Sequence, residues 1–269
     1  MRRAARISAG ATVTSREYWP VVAEVVLEAT GLVKSFGPVR AVDGVDLSVR
    51  AGERVGLLGP NGAGKTTTLL MLLGAITPDA GSIEIGGHRL PRQRSAAMGH
   101  VGFAAGYLPL PDRLKVREAL SVFAGFYGLE GGAARSAITE ALERFRITQL
   151  ADRPCEQLSS GQRTLVGIVK AVLHRPRLLV LDEPTASLDP DVAYRVRQGL
   201  LEETATAGAA LLVTSHNMVE AERLCQRVVF ISAGRVVADG GPAEVAERFG
   251  HGDLEGVFLE LAGTLEDGR

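Results

Sequence analysis

The sequence predicts an α/β fold with a mostly parallel sheet, an antiparallel β subdomain and an inserted helical subdomain. Short apolar runs at residues 54–58 and 177–182 are typical of strands buried on both faces, as in parallel sheets. Residues 41–49 alternate apolar and polar side chains, and residues 25–36 do so in part, which indicates an antiparallel pair. Residues 106–171 carry helical segments without a strand signal, which favours a helical insertion.

A glycine-rich loop follows the first apolar run. Residues 59–67 read Gly-Pro-Asn-Gly-Ala-Gly-Lys-Thr-Thr and fit the pattern Gly-x-x-x-x-Gly-Lys-[Ser/Thr]. The apolar segment at residues 66–73 then predicts a helix. Glycines let backbone N–H groups approach phosphate oxygens, and a helix N-terminus adds unpaired donors. The segment therefore predicts a P-loop NTPase core; the alternative is a glycine-rich turn before a core helix.

This loop supplies most of the candidate nucleotide-binding residues. Lys65 is expected to reach the β- and γ-phosphates, and the Thr66 hydroxyl to be a Mg²⁺ ligand. The Phe36 ring can stack on a purine, although a single Phe at a strand end can equally belong to the core. The predicted nucleotide-binding set is Phe36, Gly59, Pro60, Asn61, Gly62, Ala63, Gly64, Lys65, Thr66 and Thr67.

Two carboxylates end the run at residues 177–182. Asp182 and Glu183 come at the C-terminal end of a predicted parallel strand, where open α/β sheets bind their ligands. We expect Asp182 to hold Mg²⁺, through water, and Glu183 to act as general base toward the attacking water. The alternative is an exposed acidic strand end.

A histidine follows the next predicted strand, residues 209–213. Strands separated by one helix usually neighbour each other, so His216 should lie near Asp182 and point at the γ-phosphate. A lone His at a strand end is otherwise a surface or core residue. Further predicted elements are a strand at 82–85, a closing hairpin at 227–239, and helices at 116–127, 134–145, 163–173, 190–207 and about 254–261.

The segment Leu158-Ser-Ser-Gly-Gln162 opens the helix predicted at residues 163–173. Ser and Gly at a helix start expose backbone donors and small hydroxyls, which suit a phosphate that approaches from outside. Taken alone, the segment is better explained as an ordinary N-cap, because Ser is favoured there in any helix.

Size and charge set the remaining limits. The chain has 269 residues, a net charge of -1 and an isoelectric point of about 6.5, so we expect no nucleic-acid partner. No run approaches the roughly twenty apolar residues that span a bilayer. Two cysteines without metal-ligand spacing predict reduced thiols in a cytosolic protein. We expect a domain at residues 25–263, a disordered N-terminal tail at 1–24 and a C-terminal tail at 264–269.

The ordered motifs resemble the nucleotide-binding subunits of ATP-binding cassette (ABC) transporters. Four of them follow the P-loop: residues 158–162, residues 178–184, Ser187-Leu-Asp189, and His216. Ser160 stands where the family's signature usually has Gly, a mild departure because Ser159 and Gly161 take the phosphate-facing positions. Phe36 replaces the more usual Tyr.

The resemblance implies a mechanism. Two subunits, identical or homologous, dimerise head to tail, and ATP on one P-loop is capped by the partner's signature segment, Ser159, Ser160, Gly161 and Gln162. Glu183 activates water, His216 contacts the γ-phosphate, and Asp189, in the D-loop, links the two sites. ATP and Mg²⁺ are the implied cofactors. Dimer closure would drive separate transmembrane permease subunits, with this chain peripheral on the cytoplasmic face of the plasma membrane.

One position departs from the family pattern. The family usually has a Gln eight residues before the segment that is Leu114-Lys115-Val116 here, and this position is Gly106. That Gln normally touches Mg²⁺ and water and couples to the membrane subunit. We hypothesise that water fills the ligand position and that coupling relies on backbone motion.

The ending at residues 253–261 resembles that of exporter-type subunits, so export is the favoured direction. The alternative is a soluble ABC-type ATPase acting in translation or DNA repair, but such proteins usually carry two cassettes or long coiled-coil insertions. A small-molecule kinase or GTPase would leave residues 158–162 unexplained, and the sequence has no Asn-Lys-x-Asp motif.

Overall fold

The computed structural model describes residues 23–106, 109–186 and 188–266. Ten strands are present in this part of the chain: β1 Val25–Phe36, β2 Val39–Arg50, β3 Arg54–Leu58, β4 Ala80–Ile85, β5 His88–Arg89, β6 Val101–Ala105, β7 Leu178–Asp182, β8 Ala210–Thr214, β9 Arg227–Ser232 and β10 Arg235–Gly240. The α-helices are α1 Lys65–Leu72, α2 Arg94–Met98, α3 Val116–Phe126, α4 Gly131–Arg144, α5 Ser160–Val172, α6 Pro190–Ala207, α7 Met218–Leu224, α8 Pro242–Arg248 and α9 Leu254–Glu266.

The strands form two sheets. A six-stranded sheet has the order β10-β9-β3-β8-β7-β6, with all neighbours parallel except the β9–β10 hairpin. A four-stranded antiparallel sheet has the order β2-β1-β4-β5. The predicted α/β class, with a mostly parallel sheet and an antiparallel β subdomain, is confirmed.

The central sheet separates two apolar cores because both faces of its strands are apolar. In β7, Leu178 and Val180 point into the core shared with the antiparallel sheet and α1. Leu179 and Leu181 point into the other core, with the helices of the middle region and the C-terminal part. Side chains alternate between faces along a strand, so this continuous apolar run serves both cores.

Several element boundaries differ from the sequence prediction. Helix α4 begins at Gly131, inside the predicted glycine break, and α5 begins at Ser160 rather than residue 163. Strand β6 was not predicted, because Gly106 and Pro109 interrupt the apolar run that contains it. Short helices α2, α7 and α8 were also missed, since five to seven residues give little periodic signal.

Near both predicted domain limits, the structure describes residues that belong to the expected tails. Residues 1–22 lie outside the described residues, but Glu24 is tied to the fold: its carbonyl accepts from Ala51 N at 2.8 Å and its carboxylate pairs with Arg177. At the other end, α9 continues to Glu266, three residues past the predicted domain end. Among the helices described, none is long and apolar enough to cross a bilayer.

A close contact joins the helical region to α6. Phe145, the C-cap of α4, is fully buried, and a Cβ at Gly199 would lie 2.4 Å from its Cδ1 atom. Beside it, Arg144 pairs with the fully buried Glu203. Burial raises the pKa of the Glu203 carboxyl, and the Arg144 guanidinium opposes that rise. The Phe145 ring lies so close to α6 that a side chain at position 199 would collide with it, so this position requires glycine.

We expect Gly199→Ala to destabilise the protein by about 1–3 kcal/mol, because the methyl group overpacks against the Phe145 ring. Gly125→Ala on the exposed side of α3 is the matched control, because a Cβ there meets nothing within 4 Å. The control should stabilise by roughly 0.5–1 kcal/mol through helix propensity. Urea unfolding measures both; equal midpoints for the two variants would contradict the packing argument.

Candidate functional site

The glycine loop between β3 and α1 is pressed against two neighbouring strands. A Cβ at Gly59 would lie 2.0 Å from the carbonyl oxygen of Ile231 in β9, and one at Gly64 would lie 2.4 Å from that of Ala41 in β2. Both glycines also have positive φ, +142° and +106°. Only glycine satisfies both the space and the backbone conformation.

Backbone hydrogen bonds fix the loop to the β9–β10 turn. Gly234 N donates to Ala63 O at 2.9 Å, and Asp43 N donates to Gly234 O at 2.8 Å. The turn residues Ala233 and Gly234 both have positive φ, as in the two-residue turns that match the twist of antiparallel strands. The β9–β10 hairpin thus positions the glycine loop and also forms one edge of the central sheet.

Lys65 lies across the loop. Its Nζ donates to Gly59 O at 2.6 Å and to Pro60 O at 2.9 Å. Burial lowers the pKa of this ammonium group, and the carboxylates of Glu183 and Asp182 oppose that effect. An ammonium has three protons to donate, so one remains for a phosphate oxygen.

The acidic edge is built where β7 and β8 end side by side, as the sequence predicted. Asp182 pairs in register with Thr214, whose Oγ1 donates to Asp182 Oδ1 at 2.6 Å. The Thr214 Oγ1 atom also accepts a hydrogen bond from Glu183 N at 3.0 Å. One threonine hydroxyl therefore orients the carboxylate of one residue and the backbone of the next.

His216 contacts Glu183 directly. Its Nδ1 lies 2.7 Å from Glu183 Oε2, and its backbone N donates to the same oxygen at 3.3 Å. Glu183 has a φ of +53°, a conformation that costs a non-glycine residue energy and is concentrated at functional sites. His216 is exposed, so the pair faces solvent at the edge of the site.

A cavity of about 340 Å³ brings the loop and the carboxylates together. Its lining is Ala41, Asn61, Gly62, Gly64, Lys65, Thr66, Thr67, Asp182 and Glu183. Of the other predicted residues, Gly59, Pro60 and Ala63 are the buried members of the loop. His216 lines the neighbouring groove, together with residues of α9. Phe36 is 49% exposed on β1 and stands outside this lining, with Lys34 Nζ 5.8 Å from its ring centroid.

The donor set suits Mg²⁺ bound together with a nucleotide. Thr66 and Asp182 both line the cavity, and their side chains carry oxygen atoms of the kind that Mg²⁺ prefers. Within residues 23–106, 109–186 and 188–266, no group of three or more His, Cys, Asp and Glu could hold a metal by itself. Such a site fits Mg²⁺, which is usually bound by one or two protein oxygens, substrate phosphates and water.

The start of α5 presents the signature segment to solvent. Ser159 is the N-cap: its Oγ accepts from Gln162 N at 3.3 Å, and Gln162 Oε1 accepts from Ser159 N at 3.1 Å. Ser159 and Ser160 are exposed. A Cβ at Gly161 would meet Val192 at 3.3 Å, so α6 packs closely against this turn. The described lining of the cavity between the glycine loop and the two carboxylates includes none of these residues.

The D-loop segment is only partly described. Ser187 lies outside the described residues, while Asp189 is exposed and is the N-cap residue of α6. Its carbonyl accepts from Val192 N at 3.0 Å and Ala193 N at 2.9 Å. The side chain therefore stands at the surface, on the helix that supports Gly161.

Thr214 is the site residue that sequence reasoning missed. The available signal was its position: it ends an apolar strand predicted to run beside the strand of Asp182. Thr214 is 1% exposed, so its hydroxyl is buried and needs its two partners.

We expect Thr214→Val to lower ATP turnover about tenfold or more, because Asp182 and the Glu183 backbone lose a shared partner. It should also cost about 1–3 kcal/mol of stability by leaving Glu183 N unsatisfied. Thr214→Ser retains the hydroxyl and is the control. Steady-state ATPase assays and urea unfolding measure both; a Val variant as active as the Ser variant would contradict this role.

Comparisons with known proteins agree with this geometry. The family model described as ABC transporter matches residues 42–186. The Nod factor export ATP-binding protein I of Paraburkholderia xenovorans is 40% identical over 228 residues, covering 84% of this chain and 75% of that protein. Its namesake in Burkholderia pseudomallei is 42% identical over 214 residues, covering 80% and 70%.

Solved structures show the same relationship. An ATP-binding subunit of an ABC transporter matches with a TM-score of 0.80 and 30% identity, covering 88% of this chain and 99% of that one. The cbiO1 protein of Clostridium perfringens, part of the ABC transporter complex cbiONQ, matches with a TM-score of 0.77 and 26% identity, covering 83% and 91%. ABC ATP-binding subunits work with transmembrane permease components. The chain therefore belongs to the ABC transporter family and is an ATP-binding subunit, an ATPase, of a transporter.

Proposed function

We propose that this subunit powers export, through ATP-driven closure of a dimer of cassettes that moves separate membrane subunits. Two observations support the direction: the relatives above are named for Nod factor export, and residues 253–261 resemble the endings of exporter subunits. Contacts to the cargo would belong to the membrane subunits.

One observation carries the dimer proposal. The glycine loop, Lys65, Asp182 and Glu183 line one cavity, whereas Ser159 and Ser160 are exposed and do not border that cavity in their own copy. A second copy in head-to-tail orientation would place its Ser159 and Gly161 over the ATP. Donors from both sides then neutralise the phosphates only in the closed dimer, so ATP acts as the switch.

Each residue has a proposed part in hydrolysis. The loop from Gly59 to Thr67 binds the phosphates by backbone N–H groups, Lys65 adds a cation, and Phe36 stacks on the base. Thr66 and Asp182 would hold Mg²⁺, which neutralises charge on the phosphates when bound. Glu183 accepts the proton of the attacking water, and His216 orients Glu183 and contacts the γ-phosphate.

The domain limits and the location are part of the same proposal. A nucleotide-binding domain at residues 25–263, with its helical subdomain at about 106–171, would sit on the cytoplasmic face of the plasma membrane, held there by permease subunits. Asp189 would link the two ATP sites across the dimer. The competing reading, an ABC-type ATPase in translation or DNA repair, predicts a different location.

Complementation between two inactive variants tests the dimer. Lys65→Ala removes the phosphate cation, and Gly161→Asp places a carboxylate where the partner's phosphates would dock. Each should lack ATPase activity alone. Mixed, they should regain activity, because one of the two sites of a mixed dimer then combines an intact loop with an intact signature.

The control is Lys65→Ala mixed with Lys65→Ala,Gly161→Asp, in which no intact site can form. Activity no higher in the complementing mixture than in this control, with mixed dimers shown by a pull-down through one tag, would exclude the shared site.

Cell fractionation and loss of the gene test transport and its direction. The chain should sediment with membranes that carry its permease and be released by an alkaline wash. A strain without the gene should retain in the cell a compound that the parent strain releases to the medium, as measured by untargeted mass spectrometry.

Sedimentation with ribosomes would favour the translation reading. Loss of uptake from the medium, in place of retention in the cell, would reverse the proposed direction. A strain that carries Lys65→Ala is the matched control, because it keeps the protein and removes its activity.

A further inference from the structure

A second, much smaller cavity borders Asp182. Its volume is about 10 Å³, and its lining includes Gly106, Thr164 and Asp182. Asp182 also lines the larger cavity beside the glycine loop, so one residue belongs to both. Whatever occupies the small cavity therefore contacts a residue of the nucleotide site.

The size and lining of the small cavity suit one water molecule. A volume of roughly 10–15 Å³ holds one water when two to four polar partners are present. The remaining walls are apolar and include Ala104, Ile168 and Pro184. Asp182 and Thr164 are the lining residues with polar side chains, so they are the side-chain partners available to a water there.

Thr164 connects this cavity to the signature helix. It lies on α5 one turn after Ser160, and its Oγ1 donates to Ser160 O at 3.2 Å. A hydroxyl that donates its proton keeps two lone pairs, so Thr164 can accept a hydrogen bond from the water. The helix that carries Ser159 at its tip thus borders the same small cavity as Asp182.

Gly106 lines the small cavity without a side chain. Ala105, the last residue of β6, pairs with Asp182, and Gly106 follows directly. Among the residues that the structure describes, a Cβ at Gly106 would meet nothing within 4 Å. Besides Asp182, the lining residue with a polar side chain is Thr164, on α5.

We propose that Thr164 is a positioning residue that holds one water against Asp182 and so ties α5 to the metal carboxylate of its own copy. This inference rests on the proposed function, because it takes Asp182 as the residue that holds Mg²⁺ with the nucleotide.

Metal binding without turnover provides the test. In a Glu183→Gln background, binding of Mn²⁺ in the presence of ATP is measured by the loss of the free-Mn²⁺ electron paramagnetic resonance signal. Thr164→Val keeps the shape of the side chain, removes the hydroxyl, and should weaken Mn²⁺ binding about tenfold, as loss of an outer-shell partner does. Thr164→Ser, the control, should stay within about twofold of the parent.

Adding Gly106→Gln should rescue the Thr164→Val variant, because Gly106 lines the same small cavity and the Gln amide restores a polar group there. In the parent background the same change should have little effect. Unchanged Mn²⁺ binding in Thr164→Val, or an equal effect of Gly106→Gln in both backgrounds, would overturn the role of Thr164.

Asp182→Asn separates this inference from the proposed function. If Asp182→Asn abolishes Mn²⁺ binding and Thr164→Val does not change it, only the Thr164 inference fails. If Asp182→Asn also leaves binding unchanged, the assignment of the metal site itself is wrong.

Discussion

The close approach of the glycine loop to two strands is the constraint on which the site depends. Gly59 and Gly64 leave no room for a Cβ against Ile231 and Ala41, which belong to different sheets. The loop therefore fixes the position of the antiparallel sheet relative to the central sheet at the point where phosphates would bind. Fold and site are fixed by the same contacts, so a side chain at either glycine would disturb both.

A second level of order comes from neighbouring parallel strands. Because β7 and β8 end together, a single buried hydroxyl on Thr214 orients Asp182 and the backbone of Glu183. His216 then contacts Glu183 from the next turn. Asp182 and Thr214 are the last residues of β7 and β8, and His216 follows β8; the apolar cores hold these strands in register. The polar groups are therefore concentrated at one edge of the sheet.

Much of this was predictable because it rests on local patterns with a direct physical meaning. The glycine spacing, the apolar runs and the carboxylates after β7 placed the loop and the acidic edge correctly. Strand β6 was missed because Gly106 and Pro109 interrupt the apolar run that contains it, and Thr214 because its role is a contact across strands. The Phe145–Gly199 contact joins residues far apart in sequence, and no periodicity encodes such a pair.

The capping arrangement at Ser159 has a consequence for assembly. Its hydroxyl oxygen accepts a hydrogen bond from Gln162 N, which leaves the hydroxyl hydrogen available to another acceptor. A lone subunit thus already restrains the Ser159 side chain. In the proposed dimer, where this hydroxyl would face the partner's phosphates, association would therefore cost little side-chain entropy at this contact.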